Sequence, residues 1–380
     1  MENFVFQNPT EIIFGKDSIK EIKTRIDKNA KILFLYGKGS IKRNGVYDQV
    51  KKTLRKYHVY EFPGIEANPE YETCLNALQL VKSKKINFIL AVGGGSVIDA
   101  GKFIAAAACF NGKNYWDILR TAGANLKQAL PIGTILTLPA TGSEANGNSV
   151  ISRKETKEKL YFSAQCVFPK FSVLDPETTY SLPRKQLRNG IIDSFVHVME
   201  QYMTFPVNAL IQDRFAENIA QTLIELSPKI LNSKRDYNSR ANFMWLTTLS
   251  LNNLISCGVP QDWATHMIGH ELTALYGLDH AETLAIILPG VWRFKIKNKA
   301  KKLKQFGKRI FNLQSPISTI SAVEKFFHSV GMKTRLNDYN IDANEAAEQV
   351  RKKFAKRKIF LGENSDIGAE EIYKIILSRA

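Results

Sequence analysis

The chain has 380 residues, of which 44% are hydrophobic, 23% charged and 10% aromatic. That is ample apolar material for a large core and excludes a disordered or collagen-like chain, and the length favours two domains. Lys and Arg total 53 against 36 Asp and Glu, for a net charge of +17. The basic residues are dispersed, and the denser stretches, Lys295 to Arg309 and Arg351 to Lys358, interleave Lys with apolar residues at helical spacing. These read as solvated helix faces, with no nucleic-acid motif beside them, so neither a nucleic-acid nor a membrane partner is expected. No apolar run reaches the roughly 18 residues of a membrane helix. The opening Met1-Glu2-Asn3-Phe4 lacks a signal-peptide layout. Four scattered cysteines without a C-x-x-C pair read as reduced thiols, as expected in the cytoplasm.

Up to Leu182 the chain alternates short apolar runs with helical patterns. Ile32–Tyr36 runs into Gly37, Phe88–Val92 into Gly93-Gly94-Gly95, and Thr134–Leu136 towards Pro139. Such runs predict buried parallel strands, and the segments Tyr47–Lys56 and Tyr71–Lys84 predict helices between them. After Pro183 the strand pattern fades. Helical periodicity covers Arg188–Thr204, Val207–Ser227, Ser239–Ser256, Gln261–Tyr276 and more segments to the end. The expected architecture is therefore an α/β domain over 1–182 and an all-helical domain over 183–380.

Two turns between strand and helix are dense in glycine: Gly37-Lys38-Gly39-Ser40 and Gly93-Gly94-Gly95-Ser96, the latter leading to Asp99. Glycine lets a ligand phosphate approach the backbone, and the free N–H groups of a helix start attract it. Neither turn matches G-x-G-x-x-G, which needs Gly at 42 or 98 where Lys42 and Ile98 stand, and the Walker pattern fails at Ser96 and Phe103. An ordinary tight turn is the competing reading. A third loop, Thr137 to Glu144, carries small hydroxyl residues able to line the same ligand.

Four of the six histidines, His197, His266, His270 and His280, lie close together in sequence. Asp193 precedes His197 by one helical turn, so both project from one face, and His266 and His270 repeat the spacing. Gly277 suits a helix C-cap, and Asp279 with Glu282 forms a capping-box pattern that places His280 in the first turn of the next helix. One carboxylate and three imidazoles suit Fe²⁺ or Zn²⁺. The zincin motif is absent, because Ala274 stands where its second His belongs. Spacing alone leaves packed histidines as an equal reading of this set. His58 and His328 have no spaced partner and read as packed or solvent-facing.

Taken together these blocks resemble the iron-containing (group III) alcohol dehydrogenase family, and most closely its NADPH-dependent butanol dehydrogenase and aldehyde reductase branch. The resemblance spans the chain: Phe6–Thr10, Gly93–Asp99, Leu138–Glu144, Asp193–Tyr202, Gly258–His266, His270–Leu272, Gly277–His280 and Leu361–Asn364. It implies a dinucleotide-binding α/β domain, a helical domain, and a metal and nicotinamide in the cleft between them. It implies that Asp193, His197, His266 and His280 hold the metal, Fe²⁺ or Zn²⁺, with His270 a neighbouring non-ligand and candidate proton route. Gly94, Gly95 and Ser96 match the pyrophosphate turn, and Asp99 a residue near the nicotinamide. Thr137, Thr141 and Ser143 match the adenine- and ribose-side loop, and Lys159 a lysine that approaches the cofactor. Family members that prefer NAD carry an acid in the first glycine turn. Gly37, Gly39 and Ser40 bring none, so NADP(H) is expected. The implied reaction is reversible reduction of a small aldehyde to a primary alcohol by a homodimeric enzyme. A glycerol-phosphate dehydrogenase or a dehydroquinate-synthase-like lyase shares the architecture, but the Trp263–His266 block favours the alcohol dehydrogenases.

Overall fold

The computed structural model describes residues 1–380, and the chain forms two compact units. One comprises Gln7–Pro183 and Ser233–Thr248, the other Met1–Phe6, Arg184–Asn232 and Leu249–Ala380.

The first unit contains β1 (Glu11–Phe14), β2 (Lys31–Gly37), α1 (Ser40–Arg43), α2 (Val46–Thr53), β3 (His58–Ile65), α3 (Tyr71–Lys84), β4 (Phe88–Gly94), α4 (Gly95–Cys109), α5 (Asp117–Arg120), β5 (Ile132–Leu138), β6 (Asn148–Arg153), β7 (Glu158–Ser163) and β8 (Phe171–Leu174). Six strands form one sheet in the order β1-β8-β5-β4-β2-β3, and every pairing in it is parallel. Its central strands are largely apolar because both faces are covered, and the buried Thr134 and Ser172 hydroxyls pair with each other at 2.7 Å. Leu33, Leu35, Ile89 and Ala91 pack with α3 and α4 on one side. Ile32, Phe34, Leu90 and Val92 pack with Ile41, Val46 and Val50 of α1 and α2 on the other. The connections that leave neighbouring β2 and β4 thus run to opposite faces. In an open α/β sheet that reversal opens a crevice at the carboxyl ends of the strands, where ligands bind.

The expected helix Tyr71–Lys84 has those bounds; the expected strands β2 and β5 extend by one and two residues at each end, and β4 starts at Phe88 as expected and runs two residues further, to Gly94. After the first glycine turn a single short helix, α1, precedes the helix expected near Val46. The antiparallel hairpin β6–β7 was not expected from the sequence. Its turn is a run of charged residues closed by Lys157 at φ 50°, and no glycine announces it.

The second unit is helical: α6 (Arg184–Tyr202), α7 (Leu210–Asn232), α9 (Ala264–Tyr276), α10 (His280–Phe294), α11 (Ile296–Phe306), α12 (Pro316–Ser329), α13 (Ala343–Arg357) and α14 (Ala369–Leu377). The remaining helix, α8 (Tyr237–Ser250), belongs largely to the first unit, where Met244 enters the sheet core. It stops six residues short of the expected Ser256. Asn252 accepts the Leu254 N–H at 3.1 Å, and Asn253 adopts φ 71°. Both are local asparagine alternatives to helix continuation. The core of the second unit sets the rotation of α6. Phe195 packs against the rings of Phe306, Phe326 and Phe327 at 5.3–6.3 Å. Asp193 and His197, two residues to either side, are therefore turned away from that cluster. No helix of the chain is long and apolar enough to cross a membrane.

Candidate metal and cofactor sites

Three helices of the second unit bring the candidate ligands together. Asp193 and His197 lie one turn apart on α6, His266 and His270 one turn apart on α9, and His280 opens α10. Gly277 ends α9 at φ 70°, and Glu282 accepts the Asp279 N–H at 3.0 Å, the capping contact expected from the sequence. His280 is thereby fixed at its first turn. Asp193 Oδ1 is the focus. His197 Nδ1 lies 3.5 Å from it, His280 Nε2 3.7 Å and His266 Nε2 3.8 Å. The ligand atoms of Asp193, His266 and His280 all fall within 4.8 Å of one another. His197 stands at the side of this trio, its ring stacked 4.6 Å from that of His266. His270 adjoins the set, 5.2 Å from the His280 ring. Trp263 covers His266 edge-on at 5.3 Å.

The charge balance of this cluster fits a cation. Asp193, His197, His266 and Glu200 are buried. His197 Nδ1 and His266 Nε2 are buried ring nitrogens without a hydrogen-bond partner. Two such atoms, beside a carboxylate oxygen, are a costly arrangement unless an electrophile is shared between them. Burial lowers the His197 pKa to about 4 against the pull of Asp193, so its ring is a neutral donor at physiological pH. Burial also works against protonation of His266, but Glu200 and Asp193 outweigh it and raise that ring to about 9. A divalent ion in the same place would take over the role of that proton. One carboxylate and imidazole nitrogens form a ligand set suited to Fe²⁺ or Zn²⁺.

Glu200 was not singled out from the sequence, although it stands seven residues after Asp193 on the same face of α6. Its Oε1 accepts the backbone N–H groups of Thr265 (2.7 Å) and His266 (3.3 Å), and its Oε2 pairs with His266 Nδ1. A carboxylate acceptor keeps the proton on Nδ1 and leaves Nε2 free to donate a lone pair towards Asp193. Burial pushes the Glu200 carboxyl up, opposed by His266.

The cofactor candidates occupy the first unit. Gly37 ends β2, Gly39 precedes α1 at φ 100°, and Ser40 begins α1. Gly94 ends β4, and Gly95, Ser96 and Asp99 lie in the first turns of α4. Both turns flank the crevice between β2 and β4. The second is tight against its neighbours: a Cβ on Gly94 would come 2.9 Å from Leu138 Cβ, and one on Gly95 2.3 Å from Thr141 Oγ1. Thr137 is the last residue but one of β5, and Ser143 Oγ donates to Asp99 at 2.6 Å. Lys159 on β7 is buried and bonds Asn68 at 3.0 Å, in the loop whose Ala67 carbonyl accepts from Ser96. Lys102 escaped the sequence reading. It is fully buried and donates to Ser143 Oγ (2.8 Å), Asn146 Oδ1 (3.1 Å) and the Asn148 carbonyl (2.7 Å). It thus straps the hydroxyl loop to α4. A lysine amid Gly, Phe, Ile and Ala was the available clue.

This parallel sheet with a glycine turn at its reversal point, and the carboxylate–histidine cluster of the helical unit, define a class of metal-dependent dehydrogenases. The family model "Iron-containing alcohol dehydrogenase" matches residues 9–176. The model "Fe-containing alcohol dehydrogenase family, C-terminal" matches 189–380. The chain is 50% identical to the NADPH-dependent aldehyde reductase YqhD of Escherichia coli over 97% of each chain. A crystal structure of YqhD superposes with a TM-score of 0.98 at 48% identity, covering 100% of this chain and 99% of that one. Identity to NADP-dependent alcohol dehydrogenase 3 of Entamoeba histolytica is 45%, over 93% of each. The NADH-dependent butanol dehydrogenase A of Thermotoga maritima aligns with a TM-score of 0.95 at 34% identity, covering 100% of this chain and 99% of that one. The chain belongs to the iron-containing alcohol dehydrogenase family.

Proposed function

We propose that this protein catalyses the reversible, NADPH-dependent reduction of small aldehydes to primary alcohols. The observation that carries the reading is the convergence of three imidazole nitrogens to within 3.5–3.8 Å of Asp193 Oδ1, in a chain half-identical to an NADPH-dependent aldehyde reductase. Asp193, His197, His266 and His280 hold one divalent metal, Fe²⁺ or Zn²⁺, and Glu200 keeps His266 in the ligating tautomer. When bound, the metal supplies Lewis acidity to the carbonyl oxygen and NADPH supplies the hydride. The chain's own groups do the rest. Gly94, Gly95 and Ser96 present backbone N–H groups to the pyrophosphate at the start of α4. Asp99, Thr137, Thr141, Ser143 and Lys159 shape the remainder of the nucleotide site. His270, beside the ligands, passes a proton to the product oxygen, directly or through water.

NADP(H) is preferred because the first glycine turn, Gly37, Gly39 and Ser40, holds no carboxylate to repel a 2′-phosphate. The two relatives of 45–50% identity bear NADP(H) in their names. The functional division falls at 182/183, with the nucleotide in the α/β part and the metal in the helical part. A cytoplasmic homodimer completes the reading, in keeping with four free cysteines. The test is a panel of short aldehydes assayed with metal-loaded protein and either NADPH or NADH. Catalytic efficiency should be higher with NADPH, and an equal or better value with NADH would reject the cofactor assignment.

A further inference from the structure

Behind the ligand cluster lies a second buried charge group in the helical unit. Lys299 of α11 exposes 1% of its side chain, Glu363 1% and Asp262 4%. The Lys299 ammonium donates to Asp262 Oδ2 at 2.7 Å, to the Met203 carbonyl at 2.6 Å, and to Glu363 Oε1 and Oε2 at 3.0 and 3.1 Å. Each partner belongs to a different segment. Met203 follows α6 directly, its N–H bonded to the Met199 carbonyl. Asp262 precedes α9 and accepts the Ala264 N–H on Oδ1 at 3.0 Å, while its own N–H donates to the Glu200 carbonyl at 2.8 Å. Glu363 sits in the C-terminal turn closed by the Leu361–Ile367 bridge.

One ammonium therefore ties together the helix of Asp193 and His197, the helix of His266, and the C-terminal segment. Two carboxylates face a single cation. Burial opposes ionisation of Asp262, but Lys299 and the hydrogen bonds it accepts hold it ionised; burial pushes Glu363 up. The group is thus closest to neutral with a proton on Glu363. A buried ion pair adds little net stability over apolar packing of the same volume, and what it can supply is one defined geometry.

We infer that Lys299 is a positioning residue for the metal centre: through Met203, Asp262 and Glu363 it sets α6 against α9 and couples both to the C-terminal segment Leu361–Ile367. This rests on the reading of Asp193, His266 and His280 as metal ligands. Lys299 touches none of them and acts through the helices that carry them.

The test uses the full chain and Zn²⁺ as the probe, with affinity read by competition against a chromophoric chelator and NADPH affinity read by fluorescence. Lys299→Met should weaken Zn²⁺ binding by about tenfold or more while NADPH affinity stays within about twofold of the parent, the range seen when groups supporting a metal site are removed. Glu363→Gln, which mimics the protonated acid, should stay near the parent. Zn²⁺ should slow amide exchange over residues 361–367 in the parent and not in Lys299→Met. A general loss of structure would weaken both ligands together. That result, or an unchanged Zn²⁺ affinity in folded Lys299→Met, overturns the proposal. If Lys299→Met does not fold, Asp262→Asn carries the same expectations, since it keeps the Ala264 cap and removes the ion pair. His280→Ala separates the two readings. A parent that binds Zn²⁺ no better than His280→Ala refutes the ligand assignment itself, whatever Lys299 does.

Discussion

Replacing Glu200 by Gln tests the proposed metal centre without touching a proposed ligand. The carboxylate serves three hydrogen bonds at once, two from backbone N–H groups at 2.7 and 3.3 Å and one from His266 Nδ1. Glutamine has one acceptor oxygen and one donor nitrogen and cannot serve all three. If its oxygen faces the backbone, its NH₂ faces Nδ1, the ring proton moves to Nε2, and that proton points at Asp193 Oδ1, 3.8 Å away, where the ion should bind. If the amide is reversed, the Nδ1 bond survives and two buried backbone donors at the start of α9 lose their acceptor. Each unsatisfied buried group costs about 1–3 kcal/mol. Only the reversed amide leaves Nε2 open to the ion, so binding must meet that cost, and metal affinity should weaken by about tenfold to a hundredfold, since ~1.4 kcal/mol is one decade. Chelator competition on the purified variant measures it, with Glu200→Ala as the more severe case. Metal affinity within twofold of the parent in Glu200→Gln would show that the Glu200–His266 contact does not orient the ligand.

Other outcomes follow from the same geometry. In the metal-free protein His266 is raised to about 9, whereas His197 at about 4 is already neutral. Metal uptake near neutrality should therefore displace one proton, with apparent affinity rising about tenfold per pH unit up to about pH 9 and levelling above it. A flat profile over that range, measured by metal titration in weak buffer, would contradict it. The same shift stabilises the metal-free fold. Its contribution is complete below the ordinary imidazole value of 6.5 and disappears as pH rises through about 9, about 3 kcal/mol in all, so the denaturant midpoint of metal-free protein should fall across that window. Gly95→Ala places a methyl group 2.3 Å from Thr141 Oγ1; NADPH affinity should drop by about tenfold or more as the turn shifts, with metal content unchanged, measured by fluorescence titration and elemental analysis. His270→Ala should keep its metal but lose turnover and alter the pH dependence of kcat; full activity with an unchanged pH profile would remove His270 from the proton path.

Local physics accounts for much of what the sequence revealed. Apolar runs as short as Phe88–Val92, ended by glycines and alternating with helical patterns, fit strands covered on both faces, so the parallel sheet was legible there. The four-residue spacing of Asp193 and His197 places both on one helix face whatever else the chain does. Gly277, Asp279 and Glu282 specify where one helix stops and the next starts, and with it the place of His280. The β6–β7 hairpin and the early end of the helix at Ser250 were not legible, because a charged turn and two asparagine caps leave only weak marks in hydrophobic periodicity.

What only the tertiary structure decided is which groups meet. Asp193 and His266 are 73 positions apart, and no local rule brings their side chains within 4 Å of each other; the aromatic packing around Phe195 and the bonds from Glu200 to the start of α9 do that. The roles of Glu200, Lys102 and Lys299 are of the same kind. In sequence Glu200 and Lys299 are unremarkable helix charges, and only its apolar neighbours mark Lys102; the function of each arises from desolvation. Once buried, a charge must find partners of matching geometry, and those partners come from segments far away along the chain. The residue types therefore carried the chemistry of the site, and long-range packing assembled it.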